Sequence, residues 1–210
     1  MTIQICLMDT ERCHVSEKAL SALPFGEGER ERLLLMKNPV ALAQSLSALL
    51  ALYTLLENRG VPPLPVERTT EGKPYFVGND SLHFNLSHTK TLSVAALASI
   101  PIGIDIEFVQ EERNVDGIAK RFFSTQETRE WNTAPTLEHF FAVWTRKEAR
   151  AKLHGMGLLQ ENQREDPYLR TFRLTTPAGI AFLSVAAREP ITGTEWIEPR
   201  KDILIEPYET

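Results

Sequence analysis

Apolar positions fall into two kinds of run along the chain. ALAQSLSALLALYTLL (41–56) is long and nearly all apolar, which predicts a core helix. Asn38 is a ready N-cap, Pro39 suits the first helical position, and Gly60 followed by VPPLP forbids continuation. The run is too short for a membrane span and carries Gln44, Ser45 and Ser47. Shorter apolar runs follow: SLHFNL (81–86), TLSVAALA (91–98) and GIDIEFV (103–109) read as strands, with a polar link Ser87-His88-Thr89-Lys90 between the first two. A second helix is expected through FFAVWTRKEARAKLHG (140–155), and two more strands at YLRTFRLT (168–175) and GIAFLSVAA (179–187).

The order helix-then-hairpin thus occurs twice, and the pentapeptide Leu-Ser-Val-Ala-Ala stands at 92–96 and again at 183–187. Common residues can match by chance, yet the match sits at the same place in both plans. The expectation is an α+β chain of two similar halves, 1–100 and 101–210, with a cleft between them.

Composition sets outer bounds on this picture. An apolar share of 42% and a charged share of 24% in 210 residues call for an ordinary packed core. A net charge of −5 argues against a protein held mainly by nucleic-acid phosphates. Cys6 and Cys13 lack a partner motif for zinc or a disulfide framework and read as thiols of a reducing cytosol. MTIQICLMDTER has no basic segment followed by a long apolar one, so no secretory signal is expected.

Chemistry enters with GIDIE. Strand alternation sends Ile104 and Ile106 to one face and Asp105 and Glu107 to the other. Alone, such a pair is most simply a solvated acidic edge. Trp144, Glu148 and Lys152 are spaced i, i+4, i+8 on the second helix, so a buried Trp144 draws the other two inward. A surface Glu–Lys pair is the plain alternative. An inward Glu148 facing Asp105 and Glu107 would make a three-carboxylate cage suited to Mg²⁺ or Mn²⁺. His88 and Ser87 at a strand end, and Lys73 in the GKPYF turn, would flank it with donors and charge, although each taken singly is an ordinary surface residue. No G-x-S-x-G elbow surrounds Ser87, and no P-loop is present. The set suits a phosphate ester bridged by a divalent cation.

FNLSH (84–88), GIDIE (103–107), RFFSTQE (121–127) and WTRKEARAKLHGMGL (144–158), in that order, resemble the 4′-phosphopantetheinyl transferases of the surfactin-synthetase-activating type. The match runs from residue 72 to 158. The resemblance implies a pseudo-dimeric α+β fold with the active site at the interface of the halves. It implies transfer of the 4′-phosphopantetheine arm of coenzyme A to a serine of an apo acyl or peptidyl carrier protein, releasing adenosine 3′,5′-bisphosphate. On that likeness Asp105, Glu107 and Glu148 are the Mg²⁺ ligands. Lys73, Ser87 and His88 contact coenzyme A phosphates. Lys152 holds the pyrophosphate, and Glu148 takes the proton of the carrier serine. The carrier would dock along EERNVDGIAKRFFS (111–124), with Arg113, Lys120 and Arg121 steering and Val115, Ile118 and Phe122 burying contact; a helix with one core face is the alternative. A cytoplasmic monomer without nucleic-acid or membrane partners is expected.

One departure stands out. The family often carries an arginine near the start of the first helix that grips the coenzyme's 3′-phosphate, and this chain offers Gln44 there, with Arg30, Arg32 or Lys37 as substitutes. Two other classes remain in play: a non-catalytic paralogue that only binds coenzyme A or carriers, and an unrelated Mg²⁺ phosphohydrolase. The intact set of three acids favours the transferase.

Overall fold

A computed structural model describes residues 1–11, 20, 26–111, 113–155, 157–158, 167–197 and 200–209. Cys13, Glu112 and Met156, which figure in the motifs above, lie outside the described residues.

The chain is a mixed α+β protein. In order it forms β1 (Thr2–Asp9), α1 (Glu27–Leu34), α2 (Pro39–Asn58), β2 (Val66–Arg68), β3 (Pro74–Phe76), β4 (His83–Thr89), β5 (Leu92–Ala98), β6 (Ile102–Phe108), α3 (Val115–Phe122), α4 (Thr125–Thr133), α5 (Leu137–His154), β7 (Tyr168–Thr176), β8 (Gly179–Ala187), β9 (Gly193–Trp196) and β10 (Leu204–Pro207). Two four-stranded sheets, β4-β5-β1-β9 and β10-β7-β8-β6, carry the core, with β2 and β3 as a separate ribbon. All pairings are antiparallel except β1 with β9, where residues 193–196 cross over to the sheet built by the first hundred residues.

Helix and sheet pack as layers because both faces of each sheet are apolar. Ile3, Ile5 and Leu7 of β1 and Leu92, Val94 and Ala96 of β5 meet Ile104, Ile106, Leu183 and Val185 between the two sheets. The outer face of the first sheet buries Ala95, Leu97 and Phe84 under Leu49, Leu52 and Leu56 of α2, with Cys6 in the same layer. The outer face of the second lies under α5, whose Phe140, Phe141 and Trp144 pack on Phe182. Burial on both sides explains why β5 reads as a continuous apolar run.

Helix α2 starts where expected: the Asn38 side chain accepts from Val40 N and Ala41 N, and Pro39 occupies the first turn. By length and composition α2 passes the test for a membrane span, yet its leucines are packed against the first sheet.

The link between β4 and β5 is shorter than the polar sequence indicated. Ser87, His88 and Thr89 stay in the strand, and the turn is only Lys90-Thr91, with Lys90 at φ 37°. The reason is on β6, alongside β4. Asn85 Oδ1 accepts from Ile104 N (2.9 Å), Ser87 Oγ donates to Asp105 Oδ1 (2.8 Å), and Thr89 Oγ1 faces both Glu107 Oε2 and Phe108 N (3.4 Å each). Polar side chains of β4 therefore staple the edges of the two sheets together, and they need strand geometry to do it.

Candidate active site

The site grows from this stapled seam. Asp105 and Glu107 share the face of β6 that α5 covers, since Asp105 pairs with Ser184 and Glu107 with Phe182 under that helix. The helix can lie this close only because residue 103 is glycine. A Cβ there would come within 2.0 Å of Ala149 O and 2.4 Å of Leu153 N, both backbone atoms. The glycine of GIDIE thus sets the distance between β6 and the α5 turn that carries Glu148 and Lys152.

Lys152 closes the constellation. Its Nζ donates to Asp105 Oδ1 (2.7 Å) and to Ser87 Oγ (2.8 Å), joining α5, β6 and β4 at one point. Asp105 is buried, and its second oxygen, Oδ2, has no hydrogen-bond partner. Glu107 is held on both oxygens, by Thr89 and by an ion pair to Arg113 (3.5 Å). Burial, then Asp105, pushes the Glu107 carboxyl above its ordinary value. Glu148 is pushed further, to about 7, by burial first and by Asp105 next, with Lys152 opposing and Glu107 adding.

The remaining predicted residues surround a cavity of about 780 Å³ lined from both sides of the seam. Ser45 and Ala48 of α2 and Leu86 and His88 of β4 form one wall; Glu148, Ala151 and Lys152 of α5 form the other, with Lys73 at the rim. That volume fits a sizeable organic ligand. His88 lines the cavity, and desolvation of its ring there, then Lys152, lowers its pKa although the side chain still reaches solvent. Lys73 Nζ donates to Leu153 O (2.8 Å) at the C-terminal end of α5, and burial, then Arg188, lowers its pKa. Ser87, Asp105 and Glu107 stand behind this lining, connected to it through Lys152 and the Glu148 field.

The donors at the seam bear on a divalent cation. Asp105 offers a buried oxygen with no partner and, after burial, adds to the proton affinity of Glu107 and of Glu148. Such hard oxygens suit Mg²⁺. Among the described residues, however, no three His, Cys, Asp or Glu side chains are gathered into a finished ligand cluster. The chemistry fits; side-chain rotation would have to complete the set.

At the basic end of the cavity the sequence offered Arg32 but gave no sign of Arg68 or of the acid that holds both. Arg32 of α1 and Arg68 of β2 line it, and both pair with Glu29, which is 2% exposed. Burial alone would raise the Glu29 carboxyl, but hydrogen bonds from Arg68 and then Arg32 hold it below the usual value. Gln44 instead donates to Lys90 O (3.0 Å) and braces the β4–β5 turn. RFFSTQE also proves to be structural: Ser124 and Glu127 form a capping box at α4, and the buried Glu127 receives Lys147 (3.1 Å) and Arg150 from α5. The S-x-x-E spacing carries that signal in the sequence. On α3, Val115, Ile118 and Phe122 are half-buried against the α5 aromatic cluster, so part of the apolar face proposed for docking belongs to the protein's own core.

Comparison with known proteins bears on the family likeness. Residues 101–188 match the family model described as the 4′-phosphopantetheinyl transferase superfamily. The resemblance is thereby borne out, and the matched stretch contains three of the four motifs, GIDIE, RFFSTQE and WTRKEARAKLHGMGL. The chain is 41% identical over 96 residues to the 4′-phosphopantetheinyl transferase psf-1 of Bacillus pumilus, covering 44% of this chain and 40% of that protein. It is 37% identical over 90 residues to the 4′-phosphopantetheinyl transferase Sfp of Bacillus subtilis (41% and 39%), and 35% identical over 108 residues to HetI of Nostoc (47% and 46%). The matched stretch spans about two fifths of the length of the first of these relatives.

Proposed function

We propose that this chain transfers the 4′-phosphopantetheine arm of coenzyme A to a serine hydroxyl of an apo acyl or peptidyl carrier protein, with Mg²⁺, releasing adenosine 3′,5′-bisphosphate. The observation that carries the reading is the junction of Lys152, Asp105 and Ser87 beneath a cavity of about 780 Å³ bearing Glu148, His88 and Lys73. In this reading the cavity lies between two similar α+β halves of a cytoplasmic monomer.

Asp105, Glu107 and Glu148 hold the Mg²⁺, which when bound supplies charge neutralisation for the pyrophosphate. Lys73, Ser87 and His88 bind phosphate oxygens of coenzyme A. Arg32 and Arg68, already organised by Glu29, take the place of the absent helix arginine at the 3′-phosphate. Lys152 exchanges Asp105 for the pyrophosphate and offsets charge on the leaving bisphosphate. Glu148 accepts the proton of the carrier serine as the serine oxygen bonds to phosphorus and the pyrophosphate bond breaks.

The test is direct. Incubated with coenzyme A, Mg²⁺ and an apo carrier protein, the chain should raise the carrier's mass by one phosphopantetheine arm. Binding of coenzyme A with no mass gain on several carriers would leave the non-catalytic paralogue in its place. Release of phosphate without an acceptor would mean a hydrolase.

A further inference from the structure

Arg113 is not explained by docking alone. Its guanidinium lies over the rings of Trp144 (5.4 Å) and Phe141 (5.8 Å) and pairs with Glu107 Oε1 at 3.5 Å. It stands immediately before Asn114, whose side chain caps α3 by accepting from Gly117 N (3.0 Å). One side chain therefore ties an acid of the candidate site to the aromatic bed of α5 and to the first turn of α3.

The three acids differ in how they are held. Asp105 keeps a buried oxygen with no partner, whereas both oxygens of Glu107 are engaged, one by Thr89 and one by Arg113. The carboxylate oxygens keep lone pairs free for a metal, but a divalent cation at Glu107 would come close to the guanidinium 3.5 Å from Oε1, and two cations crowded at one carboxylate repel each other. We propose that Arg113 is a positioning residue, the resident counter-cation of Glu107, and that it is released from that carboxylate when a divalent cation binds, shifting over the Trp144 ring as it goes. The inference rests on the metal-dependent reading above. It adds that metal loading is felt at the start of α3.

MgCl₂ alone is the probe, read without activity. The chain has three tryptophans, so a ¹⁵N–¹H spectrum shows three indole signals, and Trp144→Phe assigns the one over which Arg113 lies. In the wild type that signal moves on titration with MgCl₂. In Arg113→Gln most of the movement is lost, and Mg²⁺ affinity by calorimetry tightens about threefold to tenfold, the scale of a partly exposed ion pair removed from the metal-free state. Arg113→Lys keeps the charge and returns affinity toward wild type. Arg129→Gln, which removes a charge from exposed α4 surface, leaves affinity unchanged. Unchanged or weaker affinity in Arg113→Gln, or an undiminished Trp144 movement, overturns the proposal while leaving metal binding intact. If the wild type binds no Mg²⁺, the metal-dependent reading fails and this proposal with it. Preserved dispersion of the other two indole signals confirms that each variant is folded.

Discussion

Two units of this molecule share a scaffold and differ in chemistry. In the first, α2 covers β5, which lies between β4 and β1; in the second, α5 covers β8, which lies between β7 and β6. Each has a buried hydroxyl pair joining helix to central strand, Ser47 to Ser93 (2.7 Å) in one and Thr145 to Ser184 (2.9 Å) in the other. With Ser93 aligned on Ser184, the strand registers set Met8 against Asp105, and the Thr10–Thr91 bond falls where Glu107 faces Phe182. Counting along the helices from Ser47 and Thr145, Leu50 answers to Glu148 and Thr54 to Lys152. The first unit is apolar and hydroxylic wherever the second carries charge. Acids crowded together, as Asp105 is with Glu107 and Glu148, are no help to stability, and the proposed chemistry is what would call for their confinement to one unit.

The sharpest way to break that contrast is exchange at the paired helix positions. Glu148→Gln should lower transfer to the carrier by about a thousandfold or more, the loss of a general base together with a metal ligand, with the fold intact by circular dichroism. Leu50→Ala should do the opposite: it costs about 1–2 kcal/mol in denaturant unfolding, since Leu50 is partly buried, and leaves the catalytic constellation whole. Near-full turnover in Glu148→Gln would remove the proposed base.

Gly103→Ala comes next. Its Cβ would meet the α5 backbone at 2.0 Å, so the helix must lift off β6 and take Glu148 and Lys152 with it. A loss of about 3 kcal/mol or more is expected, with transfer falling well beyond the unfolded fraction. A neutral result would mean that the close approach of helix and strand is not required.

Much of this was legible in the sequence, for local reasons. The α2 boundaries follow from Asn38, Pro39 and the Gly60 stop, and the facing of Asp105 and Glu107 follows from strand alternation. The Glu148 stripe follows from helical spacing. What was hidden depends on distant pairing. Arg68 meets Glu29 across 39 residues, and β9 reaches back to β1 from the far end of the chain. Ser87 and Thr89 read as part of a link because their partners on β6, Asp105 and Glu107, are invisible locally, and a polar residue with a partner does not end a strand.

The acid-bearing unit should also be the pH-sensitive one. Glu148 sits at about 7 in the folded chain against 4.5 for an ordinary glutamate, so the folded state binds its proton more tightly. Its contribution is present in full below pH 4.5 and is lost as pH rises to about 7, after which it is flat. Thermal unfolding without metal should therefore show about 1–3 kcal/mol less stability from this group at pH 8 than at pH 5, a range reduced for partial solvent screening. Glu148→Gln should remove that component, and MgCl₂ should flatten the slope. An unchanged slope in the glutamine variant would assign it elsewhere.

The smallest effect tests the likeness rather than the difference. Ser47 and Thr145 are both fully buried, and each hydroxyl also bonds the helix carbonyl three residues back, Gln44 O and Ala142 O. Ser47→Ala and Thr145→Val should each cost about 1 kcal/mol, because Ser93 or Ser184 loses a partner where water cannot substitute. The losses should still differ slightly: Ser184 keeps Thr171 (3.0 Å) and Ser93 keeps Gln44 O (3.0 Å), so only Ser184 retains a partner that can both donate and accept. Chemical denaturation of the two variants and their double mutant should give additive costs, since each bond lies within its own helix–sheet layer. Strong coupling between them would mean that the two units unfold around a shared element, and the seam at β4 and β6 would be the place to look.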